Sequence, residues 1–427
     1  MNITPISSSP RLVFVITVVL AAVFFVSDHD LKTAQLVDFF QSTDQMEQTA
    51  QGGNLLRQVA FFGLAALGVC LLVRNTAAPH WQPGLLGQVL VLYVGWCVLS
   101  IFWSDEPAMT LRRTVVLLCA FVGALGIARN LSLSELCHVA ICVLLVFLGM
   151  GLTAELGLGT FQPWSNEYRF AGSVHPNTQA TYMATLCLAA FALGNEGQGR
   201  MHYYLLLCLG LTVLLLTKSR TALAGTLLVL TVLWTLTAPS RLRTSVWLAG
   251  IWTAGVAAMA LLLLQNDVND KLMHLALLGR SEKAESLSGR IPLWSELMTF
   301  VQQRPLLGYG YDSFWSADHI YELSRQMQWP VRDSHSAYIE TLLNVGAIGI
   351  ALLAGIVALA ALRAGRLLGS GTGYQFLFGL LLYAIMNAGL ESLMTAPTFI
   401  PFIILCGVSR LAFFPTSGAA DERDQPA

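Results

Sequence analysis

Asp333-Ser334-His335-Ser336 closes a long polar interruption in an otherwise apolar chain, and the apolar run 336–362 follows it at once. The interruption begins near Gln265. It contains a set of acidic residues before Ser288, then Gly289-Arg290, then Arg304-Pro305-Leu306-Leu307-Gly308-Tyr309-Gly310-Tyr311. On either side of it the chain reads as nearly unbroken apolar helix. A chain that gathers its polar residues into one connection has built something there. The remainder reads as a scaffold that holds a few cations and one histidine against that connection.

Composition agrees with this division. The chain of 427 residues is 55% hydrophobic and only 11% charged, with a mean hydropathy of +0.62. Soluble domains carry about a quarter charged residues, so the expected class is an all-α polytopic membrane protein. A net charge of −1 points to no class of partner. The eight cysteines all fall inside apolar runs without paired spacing, and they read as small core hydrophobes. The first apolar run, Leu12 to Val26, lacks a small-residue cleavage site and reads as a first span.

A span needs about twenty mostly apolar residues and must be helical, because lipid satisfies no backbone polar group. Such runs lie near 12–27, 56–73, 84–103, 110–128, 136–155, 178–194, 201–217, 221–238, 245–264, 336–362, 374–393 and 396–414. The expectation is therefore twelve spans: nine in 1–264, a long loop over 265–335, three more in 336–414, and a disordered tail over 415–427. Arginines at the ends of alternate connections favour cytoplasmic termini and a periplasmic long loop. Within that loop, Ile291, Leu293, Trp294, Leu297, Met298 and Val301 recur at helical spacing. Pro305 should end this helix and Gly308-Tyr309-Gly310 should turn. Pro176 and Asn177 mark a helix start, with a side-chain cap just before it.

The candidate chemistry lies at the outer ends of these spans. Lys218 and Arg220, in the short connection Thr217-Lys218-Ser219-Arg220-Thr221, oppose the topology rule. They either reach lipid headgroups or hold an anion, and Arg169 and Arg290 lie on the same side. Arginine offers a planar fork for phosphate and lysine a point charge. A cation cluster without matching acids suits a diphosphate better than a carboxylate. His335 is either a structural helix-start residue or a base, and Asp333 could orient its ring. His175 reads first as a loop-shaping residue beside Pro176 and Asn177. Glu391, an acid at the membrane edge, either orients His335 or offsets the cations. Arg112 and Arg113 follow Asp105 and Glu106 and are expected to pair locally or to meet headgroups. No metal-ligand spacing and no nucleotide loop is present, so neither a metal nor a cofactor is expected, and no nucleic-acid partner.

These residues resemble a known family. Arg169-Phe170-Ala171-Gly172-Ser173 with His175-Pro176-Asn177, Lys218-Ser219-Arg220-Thr221, Ser288-Gly289-Arg290 with Trp294, Arg304-Pro305-Leu306-Leu307-Gly308-Tyr309-Gly310, and His335 with Tyr338 and Gly346 resemble the O-antigen ligase and polymerase superfamily. The resemblance runs from about Arg169 to Gly349. Ser336 stands where the family usually carries Asn after the histidine. The resemblance implies a lipid-linked-sugar glycosyltransferase architecture in the bacterial inner membrane. It implies transfer of a glycan from undecaprenyl diphosphate, to lipid A–core in a ligase, to another repeat unit in a polymerase, or to protein in an oligosaccharyltransferase. The length and the single dominant loop look most like the ligase. In that reading His335, Arg220 and Arg290 carry catalysis, while Arg169, Lys218, His175, Asn177 and Glu391 bind substrate. The rival class is a transporter of polyprenyl-linked sugar, which would show paired halves or mid-membrane ionisable residues; the cations here cluster at one face instead.

Overall fold

The computed structural model describes residues 9–28, 55–74, 83–165, 168–195, 200–239, 290–392 and 397–414. The described residues contain helices and no strand. In chain order the helices are α1 (Pro10–Asp28), α2 (Leu55–Arg74), α3 (Leu85–Leu99), α4 (Pro107–Asn130), α5 (Leu133–Leu158), α6 (Pro176–Gly194), α7 (Arg200–Leu216), α8 (Arg220–Thr237), α9 (Arg290–Gln303), α10 (Ala317–Met327), α11 (Ala337–Arg366), α12 (Thr372–Asn387) and α13 (Phe399–Phe413). The apolar run 245–264, the first part of the long loop and the tail 415–427 lie outside the described residues.

Among the described residues, seven helices are long and apolar enough to cross a membrane, and the shorter apolar helices α7 and α13 accompany them. This is the architecture of a polytopic membrane protein. Eleven of the twelve apolar runs coincide with helices α1–α8 and α11–α13. Among the described residues helix α6 is the most enclosed: all of Gln179 to Gly194 is buried, as expected for a helix surrounded by others. It packs against α5, α7, α8 and α12. Phe24, Phe61, Phe399 and Phe402 meet edge-on or tilted where α1, α2 and α13 converge.

The polar connection folds onto the head of α11. Helix α9 buries Leu293, Leu297 and Val301 along one stripe and packs on α11. With Tyr309, Phe314, Trp315, Ile320, Leu323, Val331 and Leu343 these residues form a second, smaller core. Pro305 follows α9, and the turn after it enters a break in α11. At that break Gly346 has φ 67° and ψ −169°. The Tyr309 amide donates to the Leu343 carbonyl (2.8 Å), Gly310 to Asn344 (2.9 Å), and Ala347 to Pro305 (2.8 Å). The turn thus supplies the partners that a continuous helix would have supplied itself. A side chain at Gly346 would stand 2.2 Å from the Leu306 carbonyl oxygen, so only glycine fits.

Of the acids expected to pair with Arg112 and Arg113, Asp105 has another partner, and Arg113 has another acid. Asp105 binds Arg304 at 2.7 Å and Arg113 faces Asp312 at 3.5 Å. Both pairs tie the ends of α3 and α4 to the folded connection, which a reading confined to neighbouring residues could not find.

Candidate active site

A relay of polar side chains crosses one end of the bundle. Arg169 donates from Nε to the Thr217 carbonyl (3.0 Å) and from Nη2 to Asn177 Oδ1 (2.8 Å). Asn177 donates from Nδ2 to Glu391 Oε1 (2.9 Å), and Arg290 Nη2 lies 3.6 Å from the same oxygen. Arg290 also donates through Nη1 to the Leu390 carbonyl. Five separate segments therefore converge: the α5–α6 loop, the α7–α8 turn, the head of α6, the segment after α12 and the head of α9. Lys218 and Arg220 sit one and three residues beyond the Thr217 carbonyl that Arg169 holds. Lys218 has φ 52°, a left-handed conformation uncommon for lysine, and Arg220 is the first residue of α8.

The loop that carries Arg169 is shaped by an acid. Glu155, 5% exposed, accepts the Tyr168 hydroxyl on Oε2. Its Oε1 accepts the amides of Ala171 (2.9 Å) and Gly172 (2.7 Å). Gly172 has φ 64°, and a side chain there would meet the Gly151 Cα at 3.0 Å.

His335 joins the cluster from α11. The Ala337 amide donates to the Ala388 carbonyl at 2.8 Å, which docks the head of α11 beside Glu391. The Asp333 carboxylate closes the preceding turn, with Oδ1 accepting the His335 amide at 2.8 Å and lying 3.0 Å from His335 Nδ1. This bond places the ring proton on Nδ1 and leaves the Nε2 lone pair for another group. Burial alone would pull the imidazole down. The hydrogen bond and charge of Asp333 overcome it and hold the His335 pKa above its ordinary value, with Arg290 opposing and Glu391 assisting. The carboxyl of Asp333 responds in the opposite sense: burial raises it, but the His335 bond and charge bring it to about 2. Glu391 stays above the usual carboxylate value because burial outweighs Arg290 and His335.

His175 has a different chemistry. It caps α6, its Nδ1 accepting the Asn177 amide at 3.2 Å. The protein around the ring, then the charges of Arg169, Arg332 and His335, lower its pKa. It is thus a neutral imidazole with its proton on Nε2, a donor and not a base. The side-chain cap expected before α6 is this histidine.

The structure therefore links Arg169, Asn177, Arg290 and Glu391 directly, and sets His335 and His175 against them. Glu391 offsets Arg290 and fixes Asn177; it does not hydrogen-bond His335. Sequence reasoning missed Glu155, Glu340, Arg332 and Trp329. The Trp329 ring lies nearly parallel to His335, at 18° with centroids 6.2 Å apart. No local pattern marks these residues, whose partners are remote or in irregular backbone. Among the described residues no group of three or more His, Cys, Asp or Glu could hold a metal.

Known proteins bear on this arrangement. Residues 205–354 match the family model for O-antigen ligase. Over 269 residues the chain is 26% identical to the exopolysaccharide production protein ExoQ of Rhizobium meliloti (strain 1021), an alignment that covers 60% of each protein. The matches support the O-antigen ligase/polymerase superfamily. Its members are glycosyltransferase-like enzymes. The matched segment includes Lys218, Arg220, Arg290 and His335; Arg169, His175, Asn177 and Glu391 lie outside it and join through the fold.

Proposed function

We propose that this protein is a glycosyltransferase that moves a glycan from undecaprenyl diphosphate to lipid A–core, an O-antigen ligase, at the periplasmic ends of about twelve spans in the inner membrane. The observation that carries the reading is the Asp333–His335 pair, seated beside Arg290 and Glu391 at one end of the bundle.

In this reading His335 Nε2 takes the proton of an acceptor hydroxyl as that oxygen attacks the anomeric carbon. A new C–O bond forms, the bond from the sugar to the diphosphate breaks, and its electron pair leaves on the diphosphate oxygen. One displacement inverts the anomeric centre without a covalent intermediate. Arg220 and Arg290, with Lys218 in support, stabilise the charge that grows on the leaving diphosphate. Arg169 holds the turn that presents Lys218 and Arg220. Asn177 and Glu391 set the direction of Arg290, and His175 offers an Nε2 proton to a substrate oxygen. The donor is already activated, so no nucleotide is required.

In a second reading the acceptor is another lipid-linked repeat unit, which is compatible with the likeness to ExoQ, an exopolysaccharide production protein. Purified protein in detergent, given the lipid-linked glycan with either lipid A–core or a second repeat unit, separates the two. Product on lipid A–core supports the ligase. Chain lengthening alone supports the polymerase. No product with either acceptor overturns glycosyl transfer and returns the transporter class.

A further inference from the structure

Glu340 is an acid inside the head of α11, one turn beyond His335 and 3% exposed. Neither the proposed chemistry nor the cation relay uses it. Its two oxygens are occupied by donors from separate segments. Oε1 accepts the indole N–H of Trp315 at 2.7 Å and the Asn344 amide group at 3.2 Å, and Oε2 accepts the Ser334 backbone N–H at 3.2 Å. Enclosed in this way, the carboxylate reaches no substrate.

What it holds is the middle residue of the Asp333-Ser334-His335 turn. The peptide groups of Ser334 are fixed from both sides. Glu340 takes its N–H, and Trp294 of α9 donates its indole N–H to the Ser334 carbonyl at 2.8 Å. The Ser334 hydroxyl bridges to the Ser336 carbonyl at 2.8 Å. Ser334 itself is fully buried. The turn needs such restraint because His335 has φ 51°, a left-handed conformation that is unfavourable for a residue carrying a Cβ. Strained residues of this kind persist where their surroundings over-determine them. A misplacement of ~1 Å at a reacting group lowers rate by up to about a hundredfold.

We propose that Glu340 is a positioning residue for His335: by holding the Ser334 amide it fixes the turn that sets Asp333 against His335 Nδ1. Its consequence for rate rests on the glycosyl-transfer reading, whereas its consequence for the His335 ring does not. The same carboxylate also binds Trp315 of the folded connection, so that connection and the histidine share one anchor.

The substitution that tests this is Glu340→Gln. Glutamine has one acceptor oxygen, and its NH2 group must face either the Ser334 N–H or the Trp315 indole N–H. The ring is read by carbethoxylation of His335 with diethyl pyrocarbonate against pH, followed by peptide mass spectrometry on the full chain in detergent. The charged and titratable groups facing His335 are Asp333 in its own segment, Arg290 from α9, Glu391 after α12 and His175 at the head of α6, with Arg332 acting on Asp333 and His175. In the wild type the reaction midpoint lies above the ordinary imidazole value of about 6.5, because Asp333 is in place. In Glu340→Gln the midpoint falls by about one unit as the Asp333 contact loosens, and kcat falls about ten- to a hundredfold while donor KM stays within about twofold. Trp294→Phe, which releases the same peptide from α9, shifts the midpoint likewise and carries the test if Glu340→Gln is not recovered folded. Trp315→Phe loosens the other oxygen and leaves the midpoint near wild type. Unchanged midpoints in the recovered Ser334-releasing variants, with only thermal stability lowered, overturn the proposal. A shifted midpoint in a protein that transfers no glycan upholds the positioning and overturns the proposed function instead.

Discussion

Replacing Asp333 with asparagine removes the charge that faces His335 and leaves the size unchanged. Two unit charges 3.0 Å apart interact by about 1.4 kcal/mol in water and about 5.5 kcal/mol at an effective dielectric of 20. The two side chains are 32% and 35% exposed, which screens the pair and favours the lower end. At about 1.4 kcal/mol per unit, His335 should lose about one pKa unit, or somewhat more. The sign follows from its role. A base works when deprotonated, so the wild-type rate falls on acidification through the raised His335 pKa. In Asp333→Asn that limb moves to lower pH, since burial and Arg290 then act unopposed by Asp333. The plateau also drops, by about a hundred- to ten-thousand-fold, because an amide no longer selects the tautomer with Nε2 unprotonated. The assay is kcat against pH with lipid-linked donor and acceptor. A variant with the wild-type limb and plateau would refute the pairing as the source of the base.

Arg290→Ala and Arg220→Ala should nearly abolish transfer in protein that still folds, and Arg290→Lys should also be poor, because a point charge cannot span Glu391, the Leu390 carbonyl and a diphosphate; steady-state rates check this, and near-normal rates would reassign the arginines to headgroup contacts. His175→Ala should lower stability by about 1 kcal/mol through loss of the α6 cap, seen as a lower melting temperature in detergent. Gly346→Ala should cost about 2–4 kcal/mol, since the residue must adopt φ 67° against the Leu306 carbonyl; thermal unfolding at wild-type stability would show that the α11 break accepts a side chain.

The scaffold was legible because membrane spans advertise themselves one at a time. Apolar length alone places α1–α8 and α11–α13, and the Ile291 to Val301 spacing places α9. Pro176 marks the head of α6 since its ring suits a first helical turn. Asp333 was legible for the same reason, lying two residues from the histidine it orients. What stayed hidden depends on remote partners. The Gly346 break reads as ordinary helix until the turn at Pro305 to Gly310 is seen filling it. Asp105 looks like a neighbour for Arg112 or Arg113, yet Arg304 claims it from across the chain. Glu391 left two roles open, and only the position of Asn177 and Arg290 selects between them. Glu155 and Glu340 carry no motif at all, because their donors are backbone amides, a tyrosine hydroxyl, an indole and an asparagine amide that only the fold brings to them.

Turnover of His335→Gln tests the central claim most directly. Glutamine keeps the approximate size and a hydrogen-bonding end but cannot accept the proton at neutral pH. With His335 as base, kcat for glycan transfer falls about a hundred- to ten-thousand-fold while donor affinity, held by the arginines, barely changes. Substantial turnover in His335→Gln, or lost donor binding with an unchanged rate, would contradict the account and make His335 a diphosphate ligand.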